Sequence, residues 1–576
     1  MKMKRFKYAF VGLSLLFAII SCSRDFLELN PQGELTIPQI ESREGVEGLL
    51  IGSYALLNGN TIEGLWGNYA SAPSQWLLGE VAADNAHKGS NNGDQPNMNL
   101  IERHLPTSTN DNLQVLWNRS FEGIVRCNNT LRVLASVQER GEDSFDAERA
   151  VQIQAEARLL RAHYYFLIHR VFVNLPWIDE SITTTEDAVN TPNSSNVVPQ
   201  IEADLRFAVE TLTIEKYNGE VGRVNLTVAQ AYLGKFLLYQ QRHDEALPFL
   251  EAVIASKPDI RGLSFTENYD IASENGVESI FEVQHGLNPD GGGDNANVGD
   301  MLNFFYGSAP VSCCGFFQPS FDLVNAYRVD ANGLPLLDGS YRTDPYMSDF
   351  GLTGAAKTNY QVDRTLRVDP RLDYTVGRRG VPFRDWGVMP GDAWIRDPGF
   401  AGPFVGMKHT IELAQLAANS VAGTPQVTGL NVKIIRLADV YLMAAECKVE
   451  SGDLAGALAL VNAVRERAAT LGPKMVGGQP IANYQVAPYP AFPSADYARN
   501  AVRFERRLEL ALEGHRFYDL VRWGIAQQVI NSYSSFEGTY LSISRAIDFQ
   551  PHNEYYPIPQ DEIDRSGGFL TQNSGY

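Results

Sequence analysis

The feature that most restricts this chain is the recurrence of apolar residues at steps of three and four. Such spacing lines one face of a helix, whereas a strand needs a period of two. Glu148 to Phe172 carries Val151, Ala155, Leu159, Ala162 and Phe166, with Val173 just beyond. Leu226 to Gln240 and Asp244 to Ile254 predict one helix pair, and Arg436 to Glu450 and Asp453 to Ala469 predict another. Asn500 to Ile530 predicts a long helical region interrupted at Gly514. Inside the pairs, small residues stand where two helices must approach: Gly234 and Ala246 in one, Ala444-Ala445 and Ala457 in the other. Leu233, Leu237, Leu250, Val253, Val461 and Val464 fill the groove around them. The stretch between the pairs is loop-like, aromatic and punctuated by Gly and Pro, so a uniform solenoid is excluded. The predicted fold is mainly α: a helical repeat scaffold with a large, irregular, loop-rich insertion.

Both pairs resemble the tetratricopeptide pattern, with Lys448 standing where that pattern has an aromatic residue. The expected division is an N-terminal helical part over 33–260, the insertion over 261–430, and a C-terminal part over 431–576, all within one body.

The first residues speak to compartment. Lys2, Lys4, Arg5 and Lys7 precede the apolar run Tyr8 to Ile20, which is too short to span a bilayer. The run ends in Ser21-Cys22, a lipoprotein processing pattern. The expectation is removal of 1–21, acylation of Cys22, and a tether over 22–32; several acyl chains together anchor a soluble body. Losing 1–21 removes four positive charges and takes the net charge from −20 to −24. So acidic a surface excludes nucleic acid as a partner. Of five cysteines, Cys127, Cys313, Cys314 and Cys447 are too scattered for a disulfide framework. Cys313-Cys314 reads as two reduced, packed thiols, with a vicinal disulfide as the alternative that export permits.

No metalloprotease, nucleophile-elbow, phosphate-loop or dinucleotide motif is present, and the nine histidines do not cluster at metal-ligand spacing. No cofactor is expected beyond the lipid on Cys22. Asp330-Ala331-Asn332-Gly333 opens like a calcium loop but lacks the closing acid, and reads as a turn. Glu505, Glu509 and Glu513 share one helical face, amid Arg503, Arg506, Arg507, Arg516 and Arg522. Close arginines keep carboxylates ionised, whereas a general acid needs a raised pKa, so this reads as an ion-pair network and not a catalytic dyad.

Several segments together carry a resemblance. These are Ala155 to Phe166 with Asn174-Leu175-Pro176, Ile201 to Leu212, Gly222-Arg223-Val224, Glu278 to Gln284, Arg436 to Glu446, Val461 to Arg465, Glu505 to Trp523 with Glu513-Gly514-His515-Arg516, and the closing Tyr555 to Pro559 and Leu570 to Tyr576. In this order they resemble the SusD/RagB family of outer-membrane nutrient-binding lipoproteins. The resemblance implies a non-catalytic, surface-exposed protein that captures glycan and delivers it to a SusC-like TonB-dependent transporter, closing over that barrel like a lid. The same fold binding peptides is one alternative; a surface glycosidase and a generic repeat scaffold are others.

A sugar chain needs flat apolar faces and directional polar groups, set on loops outside the repeat core. Two regions qualify: Trp66 to Asn97, and Asn303 to Phe404. The candidate ligand contacts are Trp66, His87, Lys88, Asn92, Tyr306, Phe316, Trp386, Trp394 and Arg396. Competing readings accompany them. His87 and Lys88 stand in a polar loop where most such residues are only solvated, Phe316 can pack the insertion, and Trp66, Trp386 and Trp394 either reach solvent or pack inward. Trp76, Trp177 and Trp523 read as structural.

Overall fold

The computed structural model describes residues 40–59, 69–141, 143–288, 293–307, 311, 313–545 and 547–576. Cys22, the tether and Trp66 lie outside these residues. The frame runs through α1 (Arg43–Ala55), α2 (Asp111–Arg140), α3 (Ala147–Phe172), α4 (Val198–Thr211), α5 (Leu226–Tyr239) and α6 (His243–Ala255). It resumes with α7 (Leu437–Glu450), α8 (Leu454–Ala468), α9 (Ala495–Leu510), α10 (Arg516–Arg522) and α11 (Ala526–Glu537). Asn110, Asp146, Asn225, Asp453 and Ser494 start their helices by accepting first-turn amides. Among the described residues, no helix is long and apolar enough to cross a membrane.

Each helix from α1 to α8 packs on the next, and α9 lies across α7 and α8. The insertion leaves after α6 and returns at α7, which docks on α6 as though nothing intervened. The neck of the insertion is closed by β2 (Ser279–Val283) pairing antiparallel with β4 (Val432–Arg436). Small residues set the helix approach as expected. A Cβ on Gly234 would meet Leu250 Cδ2 at 2.7 Å, and Ala246, Ala445 and Ala457 are fully buried. The insertion holds its own small core of Phe305, Phe383, Met389, Trp394, Ile395, Val405 and Met407.

Three expectations change. Val151 is exposed, because α3 is wrapped by α1, α2 and α4 and buries Ile153, Ala157 and Leu160 as well as the predicted stripe. The region 500–530 breaks at Ala511–His515, as expected around Gly514, but also a second time at Gly524-Ile525, giving three helices. The first break is held by Glu80, which sits on a π-helical turn (Trp76–Val81). Its carboxylate accepts from the amides of Leu512 (3.2 Å), Gly514 (2.9 Å) and His515 (3.1 Å) and from Asn85 Nδ2 (2.8 Å). Finally, Cys313 and Cys314 are joined as a vicinal disulfide rather than reduced.

The Glu505, Glu509 and Glu513 face is an ion-pair network, but its partners come from afar. Glu505 meets Arg371 (2.7 Å) and Arg465 (2.8 Å). Glu509 meets Arg371 (2.9 Å), Arg436 (2.8 Å) and Arg467, and Glu513 meets Arg436 (2.7 Å) and Lys408 (2.6 Å). The neighbouring arginines turn away. Arg506 pairs with Asp439 and Asp519, Arg507 with Asp322 and Asp84, Arg516 with Asp84, and Arg522 with Glu446 and Asp519. Burial alone would raise the pKa of Glu509 and Glu513; Arg467 with Arg436 holds Glu509, and Arg436 with Lys408 holds Glu513, well below the usual carboxylate range. That is the reverse of what a proton donor needs.

Candidate ligand-binding site

The site begins at β1 (Ala86–Gly89), which pairs antiparallel with β3 (Phe316–Pro319). The pairing brings loop 90–94 against residues 315–319 of the insertion, and the Ser90 amide donates to Gly315 O. The loop is a tight turn: Asn91 Oδ1 accepts the amides of Gly93 and Asp94. Lys88 supports it from beneath, donating to Asn91 O (2.7 Å) and Asp94 O (2.5 Å). Its ammonium lies 5.2 Å from the ring centres of both Phe316 and Phe400. Burial pulls the Lys88 pKa down to about 8, with Glu102 and Asp94 opposing. Lys88 and Phe316 are therefore the floor of this loop and do not face solvent.

Above the floor, Arg396 bridges the two regions, donating from Nη1 to Ser90 Oγ (2.9 Å) and to Asp94 Oδ2 (2.5 Å). Its guanidinium carbon stands 5.5 Å from the Tyr306 ring centre. Gly315 lies beneath both: a Cβ there would be 3.1 Å from Tyr306 Cβ and 3.8 Å from Arg396 Cβ. Asn92 is exposed at the loop tip, where its carbonyl accepts from Asn99 Nδ2. Half-buried Cys313 follows the same segment. The result is a rim of Asn91, Asn92, Asp94, Tyr306 and Arg396, with a ring, amides and charges presented together.

The remaining candidates fall elsewhere. Trp394 is only 6 % exposed and stacks on Phe305 at 4.0 Å and 13°. It shapes Tyr306 from behind, since Tyr306 N donates to Trp394 O (2.9 Å). Trp386 is half-buried on the far side of Phe305, with its indole N–H on Ile411 O (2.9 Å). Ser90, Asp94 and Phe400 pass unnoticed in the sequence. The Asn91-Asn92-Gly93-Asp94 turn signature is the one signal that marks the loop.

His87 departs furthest from its solvated reading. It is fully buried, with Nδ1 2.8 Å from Glu102 and Nε2 2.9 Å from Glu537. Burial would lower its pKa, but the hydrogen bonds to Glu102 and Glu537 outweigh that and raise it to about 9. A group raised above its ordinary 6.5 contributes its full stability below pH 6.5 and loses it as pH rises through 9. The rise from 6.5 to about 9 corresponds to about 3 kcal/mol. Lys88 titrates in the opposite sense over an overlapping range, so the clean quantity is a difference. Wild type minus His87→Gln stability, from urea unfolding, is expected to fall by about 3 kcal/mol between pH 6.5 and 9.5. A difference that stays flat across that window refutes the assignment.

Comparison with known proteins places the fold. A profile described as "SusD family" matches residues 277–576, and one described as "Starch-binding associating with outer membrane" matches 25–238. A SusD-like protein of Formosa agariphila is 24% identical, over 98% of each chain. A structure titled as a laminarin-binding SusD-like protein superposes with a TM-score of 0.63 at 23% identity, covering 93% of this chain and 100% of the other. Surface glycan-binding protein A from Bacteroides thetaiotaomicron, solved with laminarihexaose, superposes with a TM-score of 0.65 at 19% identity, covering 92% and 99%. Just over half the chain thus matches one family profile, and the solved relatives share its mainly α frame with a loop-rich insertion: the chain belongs to the SusD family.

Proposed function

We propose that this protein is a non-catalytic, cell-surface glycan-binding lipoprotein that captures oligo- or polysaccharide and passes it to a SusC-like TonB-dependent transporter. The carrying observation is the rim of Asn92, Asp94, Tyr306 and Arg396, fixed on a paired-strand base outside the helical repeats. A pyranose packs a C–H face on the Tyr306 ring while Asn92, Asp94 and Arg396 meet its hydroxyls. Relatives titled for laminarin or laminarihexaose binding support a glucan as the first ligand to try. In this reading residues 1–21 are removed, Cys22 carries the lipid, and 22–32 tether the single body of 33–576 to the outer membrane.

The test is calorimetry against a glycan panel that includes laminarihexaose, with extended peptides beside it. Tyr306→Ala and Arg396→Ala are each expected to weaken the bound glycan by about 10-fold or more, equivalent to about 1.4 kcal/mol. Full-length protein taken from outer membranes is expected to bring a β-barrel with it. Peptide binding without glycan binding promotes the peptide reading. New reducing ends during incubation would establish a glycosidase.

A further inference from the structure

A second cleft, built by other elements, carries charge that the fold does not use. It lies between α9, the start of α11 and the turn Ser340–Arg342, and holds about 320 Å³, at the small end of ligand sites. Leu337, Phe504, Ile525 and Val529 supply apolar wall, and Asn500, Gln528 and Ser532 supply polar edge. Four arginines face it: 342, 503, 507 and 516.

Their partners can be counted. Arg507 and Arg516 converge on Asp84, and Arg507 and Arg342 converge on Asp322. Two buried carboxylates thus serve three guanidiniums. Arg342 spends one further nitrogen on Ser532 Oγ (2.6 Å). The Arg503 side chain has no hydrogen bond or ion pair with any described residue, and its Nε is buried without a partner. It rests over the Trp523 ring at 5.0 Å, whose other cation is Arg522 at 4.8 Å. The nearby acids are committed: Glu446 to Arg522, and Glu450 to Arg499. Burial and the charges of Arg499 and Arg522 lower the pKa of Arg503, while Glu446 and Glu450 oppose them. An unpaired guanidinium in a half-enclosed cleft, in a chain of net charge −20, is the local opposite of its surroundings.

We infer that this cleft is a binding site for an organic oxyanion the size of one acidic sugar, a carboxylate or a sulfate ester, held by Arg503 with Arg342 and Arg516. Guanidinium forks match both anions in two-point geometry. Either a uronic acid or a sulfated sugar supplies that chemistry, and the site is independent of the Tyr306 rim.

The experiment is calorimetry on the folded full body with four probes at matched ionic strength: glucuronate, glucose 6-sulfate, inorganic sulfate and neutral glucose. Saturable binding of glucuronate or glucose 6-sulfate is expected, with neutral glucose silent. Whichever sugar binds identifies the source of the anion. Arg503→Gln is expected to weaken that binding by about 10-fold or more, and Arg503→Lys to recover part of it. Because Arg503 makes no ion pair and only the Trp523 ring contact, both variants should melt close to the wild type; a melting curve beside each titration checks it. Tyr306→Ala is expected to leave anion binding intact, so failure of the glycan reading and failure of this one are separable. Absence of binding by every anion, equal binding in Arg503→Gln, or equal binding of neutral glucose overturns the proposal. Response to inorganic sulfate alone, unaltered in Arg503→Gln, does so too.

Discussion

Replacing Arg436 with methionine is expected to cost about 3–5 kcal/mol, a large share of the net stability of a folded domain. Arg436 is 1 % exposed and sits at the centre of the buried network. It donates to Glu278 (2.8 Å), to Glu509 through both side chain (2.8 Å) and main chain (2.9 Å), and to both oxygens of Glu513. The loss is large for a specific reason. A buried pair gains little over an apolar replacement of the whole pair, but removing one partner leaves the other charges buried and short of counter-ions. Arg371, Arg467 and Lys408 still touch these carboxylates, yet all are already engaged. Adding Glu513→Gln to the variant is therefore expected to restore part of the loss, since it removes the excess negative charge that the missing Arg436 leaves in the network, with Lys408 still beside Glu509. Arg499→Met, which breaks the more exposed pair with Glu450, should cost at most about 1 kcal/mol. Urea unfolding of the four proteins checks the ordering. If Arg436→Met unfolds within 1 kcal/mol of wild type (about the size of one ordinary hydrogen bond), the network does not hold the fold.

Gly514→Ala is expected to be nearly as damaging, at about 3 kcal/mol or more, chiefly through steric clash added to the cost of a positive φ. Gly514 has φ +81°, and a Cβ there would lie 2.1 Å from Ser74 O and 2.8 Å from Gln75 Cβ. The contact is reciprocal in kind, since a Cβ on Gly79 would lie 2.2 Å from Gly514 O. Two main chains meet here with no room for a methyl group, and neither can retreat, because Glu80 binds the Leu512, Gly514 and His515 amides. Gly524→Ala is the control. That residue also has positive φ (+65°), but no atom comes near the added carbon, so only the conformational cost of about 1 kcal/mol remains. Equal urea midpoints for the two variants would show that the close approach is unimportant.

These residues show how far the sequence can be read. Helix-forming periodicity and small-residue spacing are local, so the pairs around Gly234 and Ala457 are legible, as is the helical frame. The charged face of Glu505, Glu509 and Glu513 is legible as a network, but its partners are not. Nothing local says that Arg371, Arg436 and Arg465 arrive from other segments while Arg506 and Arg507 turn to Asp439 and Asp322. Exposure suffers most. Loop composition places Asn92, Tyr306 and Arg396 outside the core, where the structure has them, yet His87 and Lys88 look solvated until the pairing of 86–89 with 316–319 roofs them over. Trp394 is an aromatic in a polar stretch that proves to be a stacking partner of Phe305. Burial at a non-local contact is what a one-dimensional reading lacks.

The reach of Glu80, Asp84, Asn85 and His87 has one more consequence. Their partners are Gly514, Arg516, Arg507 and Glu537. A ribosome releases the early residues long before those arrive. Until those residues are made, the four side chains lack part of their pairing: Glu80 has only Asn85, and His87 only Glu102. Desolvating them half-paired would be costly. Residues 507–537 complete the set, so the interior around Glu80 to His87 closes at its full hydrogen-bonding complement only when both ends of this pairing are present.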